Sequence, residues 1–284
     1  MKKLLVPIMA AALSACGGDD TKPDSAMPTA TDAAAVTASV TTDAVEVIKD
    51  TSNAPEPPAV VEFIWHTETP GFTEEALVAH TEAWASIPTS SGWALNLAAV
   101  MTPRFESEDF DFLWVLAWPT QEARDAAWTD WADNHEADWR ALTGGTFTYS
   151  IDHVYGFTPA PGRMASAANT SGSSVVEFLF CAYRDGMGET NRKAFETLHA
   201  GFMDNYETTA GATGYWWTVM APLFEPSADN NFNYMWTNFF SDDAERDGIY
   251  TAYEASEHSS RAEEDAECTD PAIFDSRVIY RAEA

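Results

Sequence analysis

Val60-Val61-Glu62-Phe63 returns as Val175-Val176-Glu177-Phe178, an offset of 115 residues. The recurrence then continues in order. Val100-Met101-Thr102-Pro103 and Phe105-Glu106 reappear as Val219-Met220-Ala221-Pro222 and Phe224-Glu225. Phe110-Asp111-Phe112-Leu113-Trp114 reappears as Phe232-Asn233-Tyr234-Met235-Trp236, and Arg124-Asp125 as Arg246-Asp247. Trp128 and Trp131 are answered by Tyr250 and Tyr253. Matches that keep their order with small drifts in offset mark a tandem duplication of one supersecondary unit. Residues 59–158 form the first copy and 175–284 the second. The stretch 159–174 (PAPGRMASAANTSGSS) reads as a linker from its Pro, Gly and Ser content.

Each copy reads as strand, helix, strand, strand, helix, strand. Val60 to His66 is apolar and β-rich, and Pro70-Gly71 ends it. Thr73 is a good N-cap with Glu74 and Glu75 in the first turn. Leu77, His80 and Trp84 then share one helical face. Trp93–Phe105 and Phe110–Trp118 read as a hairpin around an acidic turn. A second helix from Thr120 carries Trp128, Trp131, His135, Trp139 and Leu142 on one stripe; Gly144-Gly145 stops it before a last strand, Thr146 to Phe157. The second copy ends with Ile273 to Tyr280. The plan is α+β: two tandem ferredoxin-like βαββαβ repeats, each with both helices on one sheet face. The bare faces of two such sheets cover each other. In this arrangement the chain resembles the dimeric α/β-barrel superfamily, over about residues 59–158 and 175–284. That superfamily includes small monooxygenases and haem-handling enzymes such as chlorite dismutases.

Ahead of the repeats, Met1-Lys2-Lys3, the apolar run Leu4–Leu13 and Leu13-Ser14-Ala15-Cys16 make a signal peptide of residues 1–15, too short for a membrane span. Its ending resembles the bacterial lipobox, which implies cleavage before Cys16 and a lipid on that residue. Gly17 and Gly18 lack the acidic residue of inner-membrane lipoproteins, so the resemblance implies an outer-membrane anchor facing the periplasm or cell surface. Residues 16–58, rich in Ala, Thr, Asp, Ser and Pro, read as a flexible tether. The net charge of −30 argues against nucleic acid as a partner. Internal duplication supplies the pairing that single-copy relatives obtain by dimerising, so a monomer is expected.

In an oxidising compartment Cys181 and Cys268 are expected to pair. Cys181 ends the first strand of copy two, and Cys268 sits just before its last strand. The fold makes these antiparallel neighbours. The matching position in copy one is His66.

No HxH, HExxH or Cys/His cluster occurs among the six His, and neither a nucleotide fingerprint nor a nucleophile elbow is visible. No metal site and no cofactor are predicted. His135, set among Trp128, Trp131 and Trp139, and His80, beside Trp84, are the candidates for a catalytic base; His135 or His258 could ligate a haem. The haem-degrading monooxygenases of the superfamily carry an Asn on the first strand, which Val60–His66 lacks. The aromatics suggest a chamber between the two sheets, with Trp84, Trp114, Trp216 and Trp236 as its ligand-binding residues. Three readings follow: a module binding a small apolar or aromatic ligand in that chamber; a cofactor-independent monooxygenase or haem-handling enzyme; and a structural lipoprotein with a solid barrel that docks on an envelope protein. Abundant aromatics without a convergent polar set place binding or interaction ahead of catalysis.

Overall fold

The computed structural model describes residues 58–227 and 230–282, so the signal peptide, Cys16 and nearly all of the tether lie outside the described residues. Repeat one comprises β1 (Val60–Glu68), α1 (Glu74–Ser91), β2 (Leu97–Pro103), β3 (Phe112–Trp118), α2 (Gln121–Asp130), a π-helical turn (Trp131–His135), α3 (Glu136–Thr143) and β4 (Phe147–Arg163). Repeat two comprises β5 (Ser173–Tyr183), α4 (Glu189–Ala210), β6 (Trp216–Pro222), β7 (Tyr234–Phe240), α5 (Asp243–Glu254), α6 (Ser259–Asp265), β8 (Ala266–Cys268) and β9 (Ala272–Arg281). Thr73 caps α1 by accepting the Ala76 N–H at 3.1 Å, and Gly92 ends it at φ 68°, a left-handed value that favours glycine.

Strand order is β4-β1-β3-β2 in the first repeat and β9-β5-β7-β6 in the second. All pairings are antiparallel. Joins of β4 to β6 and of β2 to β9 close the two sheets into an eight-stranded barrel, with β8 attached to β5 alone. This is the dimeric α/β-barrel arrangement within one chain.

One join corrects the linker boundary. Residues 159–163 are strand, not linker: Phe157–Arg163 pairs with β6 after β4 has left β1. Pro159 and Pro161 are two apart, so both missing N–H groups fall on the edge that has no partner strand. Gly162 is needed here, because a Cβ would lie 1.8 Å from the Trp217 indole nitrogen. The second α-helical stripe also needs amending. The π turn inserts a residue between Trp131 and Trp139, which keeps both indoles on the sheet but leaves Leu142 55% exposed.

Side chains alternate across the strands, which decides where space can remain. The inner faces contribute Val61, Phe63, Leu113, Val115, Phe157, Phe178, Met220, Met235 and Phe274, which fill the space between the sheets. Phe178 lies 5.2 Å from Phe63 and 4.8 Å from Phe274, centroid to centroid. The expected inter-sheet chamber is therefore a packed core. The outer faces meet the helices: Trp114 and Trp118 pack with Trp84, Trp131 and Trp139 in repeat one, and Trp217 and Trp236 with Phe202 and Ile249 in repeat two.

The Cys pair falls where expected. Cys181 and Cys268 are direct cross-strand partners in the β5–β8 ladder and form a disulfide of 2.07 Å.

Candidate functional site

Each repeat holds an open-mouthed cavity between its sheet and its helices. The signature repeated in the sequence builds the wall beside each one. Glu62 stands between Val61 and Phe63, so it points to the helix side, where it is fully buried. Arg124 of α2 pairs with it, and the Trp128 Nε1–H donates to its two oxygens at 3.0 and 2.8 Å. Glu177 repeats the arrangement: Arg246 pairs with one oxygen, while the other accepts the Tyr250 O–H at 2.7 Å and the Asn238 Nδ2–H at 3.2 Å. Burial raises the Glu62 carboxyl above its usual range, while Arg124 pulls it down. These four charged residues were visible in the repeat, but spacing alone does not bring β1 and α2 together.

The first cavity is small, about 40 Å³ of space within its walls. Seven indoles (Trp84, Trp93, Trp114, Trp118, Trp128, Trp131 and Trp139) line it with Ile64, Leu116, Ala127, Tyr149 and His66. The His66 Nδ1–H donates to the Ile64 carbonyl at 3.0 Å, and the ring stacks on Phe112. Burial lowers its pKa to about 4, so the imidazole is neutral at pH 7.

The second cavity is larger, about 120 Å³, and is lined by Trp236, Phe195, Phe240, Tyr234 and the Cys181–Cys268 disulfide. Polar groups converge here. The Tyr215 O–H donates to Asn238 Oδ1 at 2.9 Å, so His199 Nε2, 2.9 Å from the same hydroxyl, must carry the proton it donates. The Trp236 Nε1–H donates to the same Asn238 oxygen at 2.8 Å. Asn238 then hands the chain on to Glu177. His199 Nδ1 is buried without a partner among the described residues, and burial lowers the ring's pKa to about 3. Burial likewise holds the Tyr215 hydroxyl well above its ordinary value.

The copies differ at the residues that matter. At the offset relating β1 to β5, Trp84 corresponds to His199 and His66 to Cys181; at that relating Trp114 to Trp236, Leu116 corresponds to Asn238. Both Trp84 and His199 stand edge-on to their strand tryptophan, at 5.3 and 5.5 Å. Repeat two thus has an imidazole and an amide where repeat one has an indole and an isobutyl group.

The expected site residues are redistributed. Trp84 and Trp114 line the first cavity and Trp236 the second, all on helix-facing walls rather than between the sheets. Trp216 lies outside both cavities and stacks on Phe239 at 3.7 Å. His80 bonds Thr146 at 3.2 Å and borders neither cavity. His135 Nε2 sits 2.9 Å from Ser91 Oγ and 3.2 Å from Asp130 Oδ2. Both contacts use one nitrogen, so the trio lacks the two-nitrogen relay of a nucleophilic triad. The polar set that sequence reasoning did not foresee is His199, Tyr215, Asn238 and Glu177, from α4, the segment before β6, β7 and β5.

A haem needs an imidazole with a free nitrogen facing a flat slot. His80, His135 and His258 border neither of these cavities; His199 Nε2 is engaged, and its Nδ1 is sealed inside protein. His66 faces indoles set edge to face, Trp84 and Trp139 standing at 68° and 85° to Trp114. As arranged, neither cavity fits a haem. No group of three or more metal-ligating side chains occurs among the described residues.

No family model and no curated protein sequence matches the chain. Solved structures match it at low identity and with TM-scores below 0.5. A proposed monooxygenase of Lactobacillus acidophilus is 10% identical, with a TM-score of 0.48, covering 79% of this chain and 95% of its own. A mutant chlorite dismutase of Candidatus Nitrospira defluvii is 8% identical at 0.46, covering 79% and 93%. A haem-binding protein of Thermus thermophilus is 12% identical at 0.44, covering 78% and 91%. At such identities no site residue is transferred, and the chemistry of the cavities rests on their own side chains.

Proposed function

We propose that the second repeat's cavity binds a small, largely apolar aromatic molecule and holds one polar group of it against the His199–Tyr215–Asn238 wall. One observation carries this reading: a continuous hydrogen-bonded chain stands in the wall of an aromatic cavity, where the first repeat has only Trp84 and Leu116. Apolar walls supply affinity, and a few fixed polar groups orient the ligand. Cofactor-independent oxygenation is a second reading, favoured by the titratable His199 and Tyr215 in the same wall. A pKa of about 3 makes His199 a weak proton acceptor at neutral pH, which ranks binding ahead of catalysis. With Cys16 lipidated, the site would be presented at the cell envelope.

The test is native mass spectrometry with an ultraviolet–visible spectrum, on protein extracted from its host's membrane. An additional small-molecule mass without a Soret band is expected, and it should be lost in His199→Trp, which restores the indole of repeat one. A bound mass that persists in His199→Trp would move the site elsewhere. A Soret band would overturn the fit argument against haem.

A further inference from the structure

The first cavity does not simply repeat the second. Its lining carries no charged side chain, so a neutral ligand is favoured. His66 is its only imidazole, and the tautomer is set by the backbone. A carbonyl oxygen can only accept, so Nδ1 holds the proton given to Ile64, and the neutral ring leaves a bare lone pair on Nε2. Among the described residues Nε2 has no hydrogen-bond partner, although His66 is 3% exposed and lines the cavity. Unlike His199 Nδ1, Nε2 is not sealed inside protein. A ligand that fills the cavity and shuts solvent away from Nε2 must itself supply the donor, which makes this nitrogen a point of recognition.

We propose that the first repeat holds a second binding site, for a small neutral aromatic molecule that donates one O–H or N–H to His66 Nε2 while its ring packs among the seven indoles. The phenol and indole classes have this chemistry. Sequence position supports an evolved difference: at the equivalent place in repeat two the residue is Cys181, locked in the disulfide, so repeat two offers no such acceptor. The proposal is independent of the ligand bound in repeat two.

The test uses 4-fluorophenol and 4-fluorotoluene, matched in shape and differing in the donor. Fluorine NMR titration of the full-length mature protein should give tighter binding of the phenol by about two- to tenfold, the contribution of one hydrogen bond. A long-range proton–nitrogen spectrum of histidine-labelled wild-type protein should show the Nδ1–H tautomer for His66. Its bare Nε2 resonance should shift with the phenol and stay put with the toluene. His66→Phe should keep toluene binding and lose the phenol preference of the first cavity, whereas in Asn238→Leu, which alters only the second cavity, the shift of His66 Nε2 with the phenol should persist. Equal affinities for the two probes, an unmoved Nε2 resonance, or an Nε2 shift abolished in Asn238→Leu would each overturn the proposal. The wild-type spectrum decides it even if His66→Phe does not fold.

Discussion

Arg124→Met removes the cation from a carboxylate that has nowhere to go. Glu62 is fully buried, and once Arg124 is gone its remaining donor is the Trp128 indole N–H at 3.0 and 2.8 Å. Breaking a buried pair from one side costs about 3–5 kcal/mol, a large share of the roughly 5–15 kcal/mol that holds a domain folded. The carboxylate can escape part of this cost by taking up a proton. Glu62 already lies above its ordinary value of 4.5 because of burial, and Arg124 is the main influence holding it down. Without Arg124 it rises further. Between the unfolded and folded values the native state then binds more protons than the unfolded chain. Stability falls as pH rises through that window, by up to about 1.4 kcal/mol per unit, and levels off above it. The penalty should therefore be smaller at pH 5 than at pH 8. Urea unfolding followed by tryptophan emission at pH 5, 6, 7 and 8 measures it. The double variant Glu62→Leu/Arg124→Met should recover most of the loss, since two apolar groups leave no stranded charge. Arg246→Met should cost less, because Glu177 keeps donors in Tyr250 and Asn238. A penalty below about 1 kcal/mol at pH 7, or one equal at pH 5 and pH 8, would refute the reasoning.

His66 and His199, with pKa values lowered to about 4 and about 3, bind fewer protons folded than unfolded. The histidine contribution to stability should therefore drop as pH falls below about 6.5, by up to about 1.4 kcal/mol per unit for each histidine, and His66→Phe should make the slope shallower. Urea midpoints at pH 6.5, 5.5 and 4.5 check this; slopes unchanged in the variant would count against a buried neutral His66. Reducing the Cys181–Cys268 bond opens a loop of 87 residues and should cost about 4.6 kcal/mol on the chain-entropy model, read as a lower thermal midpoint with reductant. Trp114→Ala should cost about 3–5 kcal/mol in chemical unfolding, because the indole is 3% exposed among Trp84, Trp139 and Phe147. A near-neutral result would mean that the first cavity collapses readily around it. Tyr215→Phe strands the His199 Nε2–H, while Asn238 Oδ1 keeps the Trp236 donor, and should lower stability by about 1–3 kcal/mol in the same assay.

The duplication, the order of strands and helices, and the partner of Cys181 were all legible in the sequence. Each rests on local periodicity or on residues recurring at fixed offsets, and antiparallel pairing then sets Cys181 opposite Cys268. Pro159-Ala160-Pro161-Gly162 was not legible as strand. Its composition signals a linker, and only the partner β6 on one side, with open space on the other, makes two prolines acceptable there. The position of free space was likewise beyond the sequence. Alternation tells that neighbouring strand residues face opposite ways, but the inner faces happen to carry phenylalanines, methionines and valines that interlock. The outer faces carry rings too large to close against helices without leaving gaps. Glu62 and Arg124 were recorded in the repeat as matching letters. That they form a buried pair, and that His199, Tyr215 and Asn238 join the second copy of it, depends on four separate elements converging. Such convergence is a property of tertiary packing, which no spacing along one chain encodes.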